Sequence, residues 1–204
     1  NFANDYTDGI ALQSIKLVFE WLEKSVKTAD PEAREKMHNA STMAGMAFAN
    51  AFLGMSHSMA HKIGAVHHTV HGRTNAILLP YVIRYNGTRP SKTTTWPKYN
   101  YWKADEKFQD IAKMLGLPHS TPEEAVEAYA KAVYDLGEAV GITMNFKGFG
   151  IDEKVWKDSL HEIALLAYED QCSPANPRLP MVADMEEIMA DAYYGYGERP
   201  GRRK

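Results

Sequence analysis

Apolar side chains recur at three- and four-residue steps along almost the whole chain, and that spacing restricts what it can fold into. Residues 8–27 carry Leu12, Ile15, Phe19, Leu22 and Val26 in this pattern, one apolar stripe on a helix. No stretch alternates with period two, so no sheet is expected, and no unit of roughly 20–50 residues repeats. The fold class expected is all-α: a multi-helix, bundle-like domain spanning residues 1–204, with at least six helices.

Start and stop signals divide the chain. Asp30 is placed to cap a helix with Pro31 in its first turn, running to about residue 53 and closed by Gly54. Ala40, Ala44, Gly45, Ala47, Ala49 and Ala51 crowd that helix with small side chains, which predicts close neighbours on several sides and a central position. A short helix over 57–64 is expected to end at Gly64. The next runs from about Gly72 to Tyr85, kinked at Pro80 and stopped by Asn86-Gly87. Residues 87–100 form a polar, Thr-rich stretch read as a lid or insertion. Further helices are predicted over 102–115 (ended by Gly116), from Thr121-Pro122-Glu123-Glu124, which has the form of a capping box, to about 140, from Asp152 to about 170, and over 183–194.

Composition excludes several functions. The 204 residues carry a formal charge of −3, with 45% apolar and 24% charged side chains, as in an ordinary globular protein. That balance gives no footprint for nucleic acid or an anionic membrane, and no apolar run approaches the roughly 20 residues of a bilayer span. The only basic cluster, Arg199, Arg202, Arg203 and Lys204, reads as a solvated end. The single cysteine, Cys172, rules out an intrachain disulfide and a cysteine-based zinc cage, and fits a reducing cytoplasm. The opening Asn1-Phe2-Ala3 is neither a signal peptide nor an initiating Met, which points to a processed chain or a fragment.

Five of the eight histidines lie between 57 and 71. His57 and His61, four apart, share one helical face, and His71 follows a turn that can bring it back toward them. Neutral imidazoles at this spacing make a partial site for iron, zinc, copper or nickel; a surface or capping pair is the competing reading. The window His57-Ser58-Met59-Ala60-His61 lacks the glutamate a zinc protease needs as general base. Cys172 reads by default as a packed, inert thiol. Gly148-Phe149-Gly150 and Gly195-Tyr196-Gly197 are isolated glycine pairs, so no dinucleotide fingerprint is present.

The segment from Ala44 to Asn86 resembles the iron-dependent alcohol dehydrogenases, whose fold is dehydroquinate synthase-like. His57-x-x-x-His61, Gly64 and His71-Gly72 match the family motif in type and spacing, and Asn75 and Pro80 follow in place. Asp170-Gln171-Cys172-Ser173-Pro174-Ala175-Asn176-Pro177-Arg178 and Asp191-Ala192-Tyr193-Tyr194-Gly195 are similar to the C-terminus of the bifunctional aldehyde–alcohol dehydrogenases. That branch is fermentative and NADH-dependent, and makes ethanol from acetyl-CoA.

The resemblance implies the rest. His57 and His71 correspond to two of four ligands of Fe2+, with Zn2+ as a possible substitute, and His61 to a catalytic histidine that moves a proton. Phe48 and Cys172 correspond to segments near the substrate pocket, with core packing an equal alternative for Phe48. The other two ligands, an Asp-x-x-x-His pair on an upstream helix, have no counterpart here: neither Asp5 nor Asp8 has a histidine four residues on. The N-terminal domain that would bind NAD(H) is missing too. The partners implied are a small aldehyde or alcohol, the remainder of the same enzyme, and further copies in a homo-oligomer or filament. Two functions stay open at this point: part of an acetaldehyde-reducing enzyme, or a helical assembly module without turnover.

Overall fold

The computed structural model describes residues 2–90 and 102–200. Among these the fold is all-α, with eight α-helices: α1 (Asp5–Thr28), α2 (Pro31–Ala51), α3 (Met55–His67), α4 (His71–Gly87), α5 (Ala104–Met114), α6 (Pro122–Ala139), α7 (Glu153–Tyr168) and α8 (Val182–Tyr194), plus a 3-10 turn at Ser173–Ala175. Most of the stretch read as a lid, residues 91–100, lies outside the described residues.

The caps explain the boundaries. Asn4 Oδ1 accepts the Tyr6 and Thr7 N–H groups, both at 3.1 Å, while Thr7 Oγ1 accepts the Asn4 N–H at 2.9 Å. This reciprocal cap starts α1 three residues earlier than its apolar stripe. Asp30 and Asp152 cap α2 and α7 as the sequence predicts, Asp30 Oδ1 taking the Ala33 N–H at 2.9 Å and Asp152 Oδ1 those of Lys154 and Val155. At α6 the box is half formed. Thr121 Oγ1 accepts from Glu124 N–H, but the Glu124 carboxylate takes the N–H of Ser120.

Helix α2 is not central. It buries only Ala33, Ala40 and Ala47, one face at seven-residue spacing, against α1, where Thr7 and Ser14 are buried at the same spacing. Ser14 Oγ donates to the Ala40 carbonyl at 2.8 Å, so the two backbones run close. The small side chains therefore serve one tight seam, and Gly45 faces open space. The central element is α4. Its Ile77, Leu78, Tyr81 and Val82 enter a cluster with α3, α7 and α8, while Ile83 enters a second with α5, α6 and the apolar stripe of α1. The middle of α4 is apolar on most sides and is covered on most of them, with Leu79 left exposed. Pro80 is accommodated inside α4, which runs on to Gly87. A Cβ on Gly87 would fall 2.5 Å from the Val126 side chain, so α4 meets α6 through a residue without one.

Two glycines act differently from expectation. Phe52 caps the end of α2, and Gly54 stands at the start of α3. Gly64 does not end α3; the helix continues to His67 and stops at His68, which adopts the left-handed conformation at φ 53°. At the other end of the chain Arg199 is not a solvated cation: its Nη1 lies 3.1 Å from Oδ1 of buried Asp191. The remaining basic residues, 202–204, lie outside the described part.

Candidate metal centre

Helix α3 is fixed from outside at its N-terminus. Gly54 offers no capping side chain, and Asn176 Oδ1 takes the Met55 N–H instead, at 3.2 Å. A Cβ on Gly54 would lie 2.7 Å from that oxygen, so the absent side chain is what admits the cap. Asn176 Nδ2 donates to Asn86 Oδ1 at 2.7 Å and to the Arg178 carbonyl at 2.6 Å, joining the start of α3 to the end of α4. Ser173 Oγ sits 2.9 Å from Ser58 Oγ and 2.7 Å from the Ala167 carbonyl. The turn after α7 is thus held along one side of α3.

Helical spacing puts His57 and His61 on a common side of α3, and a three-residue connection starts α4 at His71. His57 Nδ1 and His71 Nε2 lie 3.2 Å apart. The His61 ring is stacked on that of His71, 5.2 Å between centroids and 14° from parallel. One ring nitrogen from each of the three falls within 4.8 Å of the others. Asn75 Nδ2 lies 3.1 Å from His71 Nε2, and Ser56 Oγ donates to Asn75 Oδ1 at 2.9 Å, so the His71 ring is steadied from the adjoining turn of α4. Burial, with His71 and then His61 beside it, pulls His57 down to about 4. At neutral pH its ring is therefore uncharged and has a lone pair to give.

Behind His61 stands Asp170, whose side chain is 8% exposed. Its Oδ2 meets His61 Nδ1 at 3.2 Å and Lys62 Nζ at 3.0 Å, and its Oδ1 accepts the Cys172 N–H at 3.0 Å. Burial pushes this carboxyl up, but the Cys172 N–H, Lys62 and His61 outweigh it and leave it at about 2. Cys172 is buried, and burial, then Asp170, pushes its thiol up to about 11. It is a protonated, packed side chain and not a nucleophile.

The predicted residues are thus gathered at one place. Phe48 is exposed, with its ring 6.4 Å from that of His57, and a donor atom of Cys172 lies within 4.8 Å of one on His61. A separate cleft of about 690 Å³, lined by Phe52, Leu53, Ser56, Trp102 and Phe108 among others, contains none of the three histidines. Asp170, Lys62 and Asn75 were not among the predicted site residues. Asn75 carried a signal, four residues after His71, whereas Asp170 is 109 residues from His61 and no local pattern links them.

The donor set suits a borderline divalent metal. Two imidazole nitrogens bound at roughly 2 Å to one ion sit about 3 Å apart, close to the His57–His71 separation. Iron of this type usually takes more N/O ligands than two imidazoles supply, and His71 is exposed, so the centre opens outward as a partial one.

Comparisons with known proteins give the family. A family profile described as the Fe-containing alcohol dehydrogenase family, C-terminal, matches residues 1–193. The aldehyde-alcohol dehydrogenase of Streptococcus pneumoniae serotype 2 is 79% identical over 202 residues, which is 99% of this chain and 23% of that protein. The bifunctional aldehyde-alcohol dehydrogenase of Escherichia coli K12 is 39% identical over 198 residues, 95% of this chain and 22% of that one. Among solved structures, a 1,3-propanediol oxidoreductase superposes with a TM-score of 0.81 at 33% identity, over 95% of this chain and 47% of its own. The iron-containing alcohol dehydrogenase of Thermococcus thioreducens gives 0.78 at 34% identity, over 96% and 46%. The chain spans about a quarter of the length of these curated relatives and about half that of the solved ones. It belongs to the Fe-containing alcohol dehydrogenase family, as an all-helical C-terminal part of such a protein.

Proposed function

We propose that this chain is the helical, metal-holding part of a bifunctional aldehyde–alcohol dehydrogenase that reduces acetaldehyde and other short aldehydes to alcohols with NADH. The observation that carries the reading is the approach of His57 Nδ1 and His71 Nε2 to 3.2 Å, from two helices, beside a third imidazole. His57 and His71 would hold Fe2+. The ion, when bound, supplies Lewis-acid polarisation of the aldehyde oxygen. His57 contributes an uncharged ring, Asn75 fixes the His71 ring, and His61 stands where it can deliver a proton to the product alcohol. Phe48 adds an apolar surface next to His57. The remaining two ligands and the nicotinamide site belong, on this reading, to the preceding part of the enzyme.

The test uses the full-length enzyme. His57→Ala and His71→Ala should lose bound iron and turnover together. His61→Ala should keep its iron and lose roughly 100-fold in kcat, because it moves a proton and does not coordinate. Loss of iron in His61→Ala, or full iron in His57→Ala, would overturn the assignment.

A further inference from the structure

His61 makes a polar contact that neither the metal reading nor the sequence motif accounts for. Its Nδ1 lies 3.2 Å from Asp170 Oδ2. An ionised carboxylate only accepts, so Nδ1–H donates the hydrogen bond to it; a neutral imidazole carries one N–H, so Nε2 is left with its lone pair. Asp170 is itself well fixed. The Cys172 N–H holds one of its oxygens and Lys62 Nζ the other, and the turn that carries it is tied to α3 by the Ser173–Ser58 and Asn176–Met55 contacts. Packing adds a second constraint, since the His61 ring lies nearly parallel to that of His71.

We infer that Asp170 is a positioning residue for His61, holding it in the Nδ1–H tautomer so that Nε2 is the atom that exchanges a proton beside the His57–His71 pair. What His61 does with that proton rests on the dehydrogenase reading; the tautomer does not. Lys62 has a secondary part: it shares the same carboxylate oxygen and keeps the acid ionised, without touching the ring contact.

Side-chain 15N spectra of the 204-residue chain at pH 8 test the tautomer directly, with a His61→Gln variant to assign the signals. The wild type should show His61 with a protonated Nδ1 and an unprotonated Nε2. Asp170→Asn, whose amide can donate as well as accept, should give a mixture or the opposite tautomer, while Asp170→Glu and Lys62→Met should keep the original one. An unchanged tautomer in Asp170→Asn, or the same mixture in Lys62→Met, would overturn the inference. In the full-length enzyme, Asp170→Asn should lower kcat about 10-fold or more, with KM and iron content nearly unchanged, and Asp170→Glu should recover most of the loss. An unaltered kcat would also overturn it. A tautomer that responds in an enzyme without aldehyde reductase activity would instead refute the proposed function and leave the positioning role standing.

Discussion

One carboxylate ties the candidate site to the stability of the chain. Asp170 is nearly buried and carries three polar partners from two segments, which leave it at about 2 against an ordinary 3.8. A group lowered on folding stabilises the native state while ionised. Its contribution is complete above the unfolded value and disappears as the pH falls through the folded one. A depression of that size corresponds to about 2 kcal/mol. In urea unfolding, wild type should exceed Asp170→Asn at pH 6, and the gap should shrink by about 1 kcal/mol at pH 3. A gap that stays constant with pH would show that the carboxylate is not held low. The same residue marks how far the site was legible. His57, His61 and His71 could be found by spacing, because a helix converts a four-residue step into a shared face. Asp170 reaches His61 only through the packing of the turn after α7 on α3, a relation the chain does not write locally.

At the scale of elements, the sequence was legible where the signal was an aspartate N-cap or an apolar period, and misleading at the glycines Gly54 and Gly64 and where the signal was side-chain size. Alanines and glycine around α2 suggested a central helix, yet small residues equally allow one very close partner. The structure takes that second option, pairing α2 with α1 through Ala33, Ala40 and Ala47. The better signal was the apolar run Ile77-Leu78-Leu79-Pro80-Tyr81-Val82-Ile83, which makes the middle of α4 apolar on most sides; only Leu79 of that run is exposed. The seam makes a sharp prediction. Ala40 is fully buried and its carbonyl receives the Ser14 hydroxyl, so the backbones there cannot separate cheaply. Ala40→Leu should destabilise the chain by about 1–3 kcal/mol through overpacking. Ala49→Leu, on the exposed side of the same helix, should stay within about 0.5 kcal/mol. Equal urea midpoints for the two variants would refute the seam.

The whole molecule joins two apolar clusters through α4 and leaves its histidine centre at the surface. Both clusters are built from described residues of this chain, while Phe48, Phe52 and Val70 stay exposed. The centre is different. His71 is exposed, and the three imidazoles meet beside exposed Phe48, so a metal held there would still face outward. On the proposed reading, hydride transfer needs a nicotinamide held against the substrate carbon, and positioning of that kind accounts for much of an enzyme's rate. The isolated 204 residues should therefore oxidise no detectable NADH with acetaldehyde. They should bind Co2+, a spectroscopic substitute for iron, at least ~100-fold more weakly than the full-length enzyme, because losing even an outer-sphere partner of a metal ligand costs about 10- to 100-fold. Fusing the chain to the preceding part of the streptococcal relative should restore both properties together. Turnover by the isolated chain would refute the need for the preceding part, and tight Co2+ binding that survives His57→Ala would place the metal somewhere other than the His57–His71 pair.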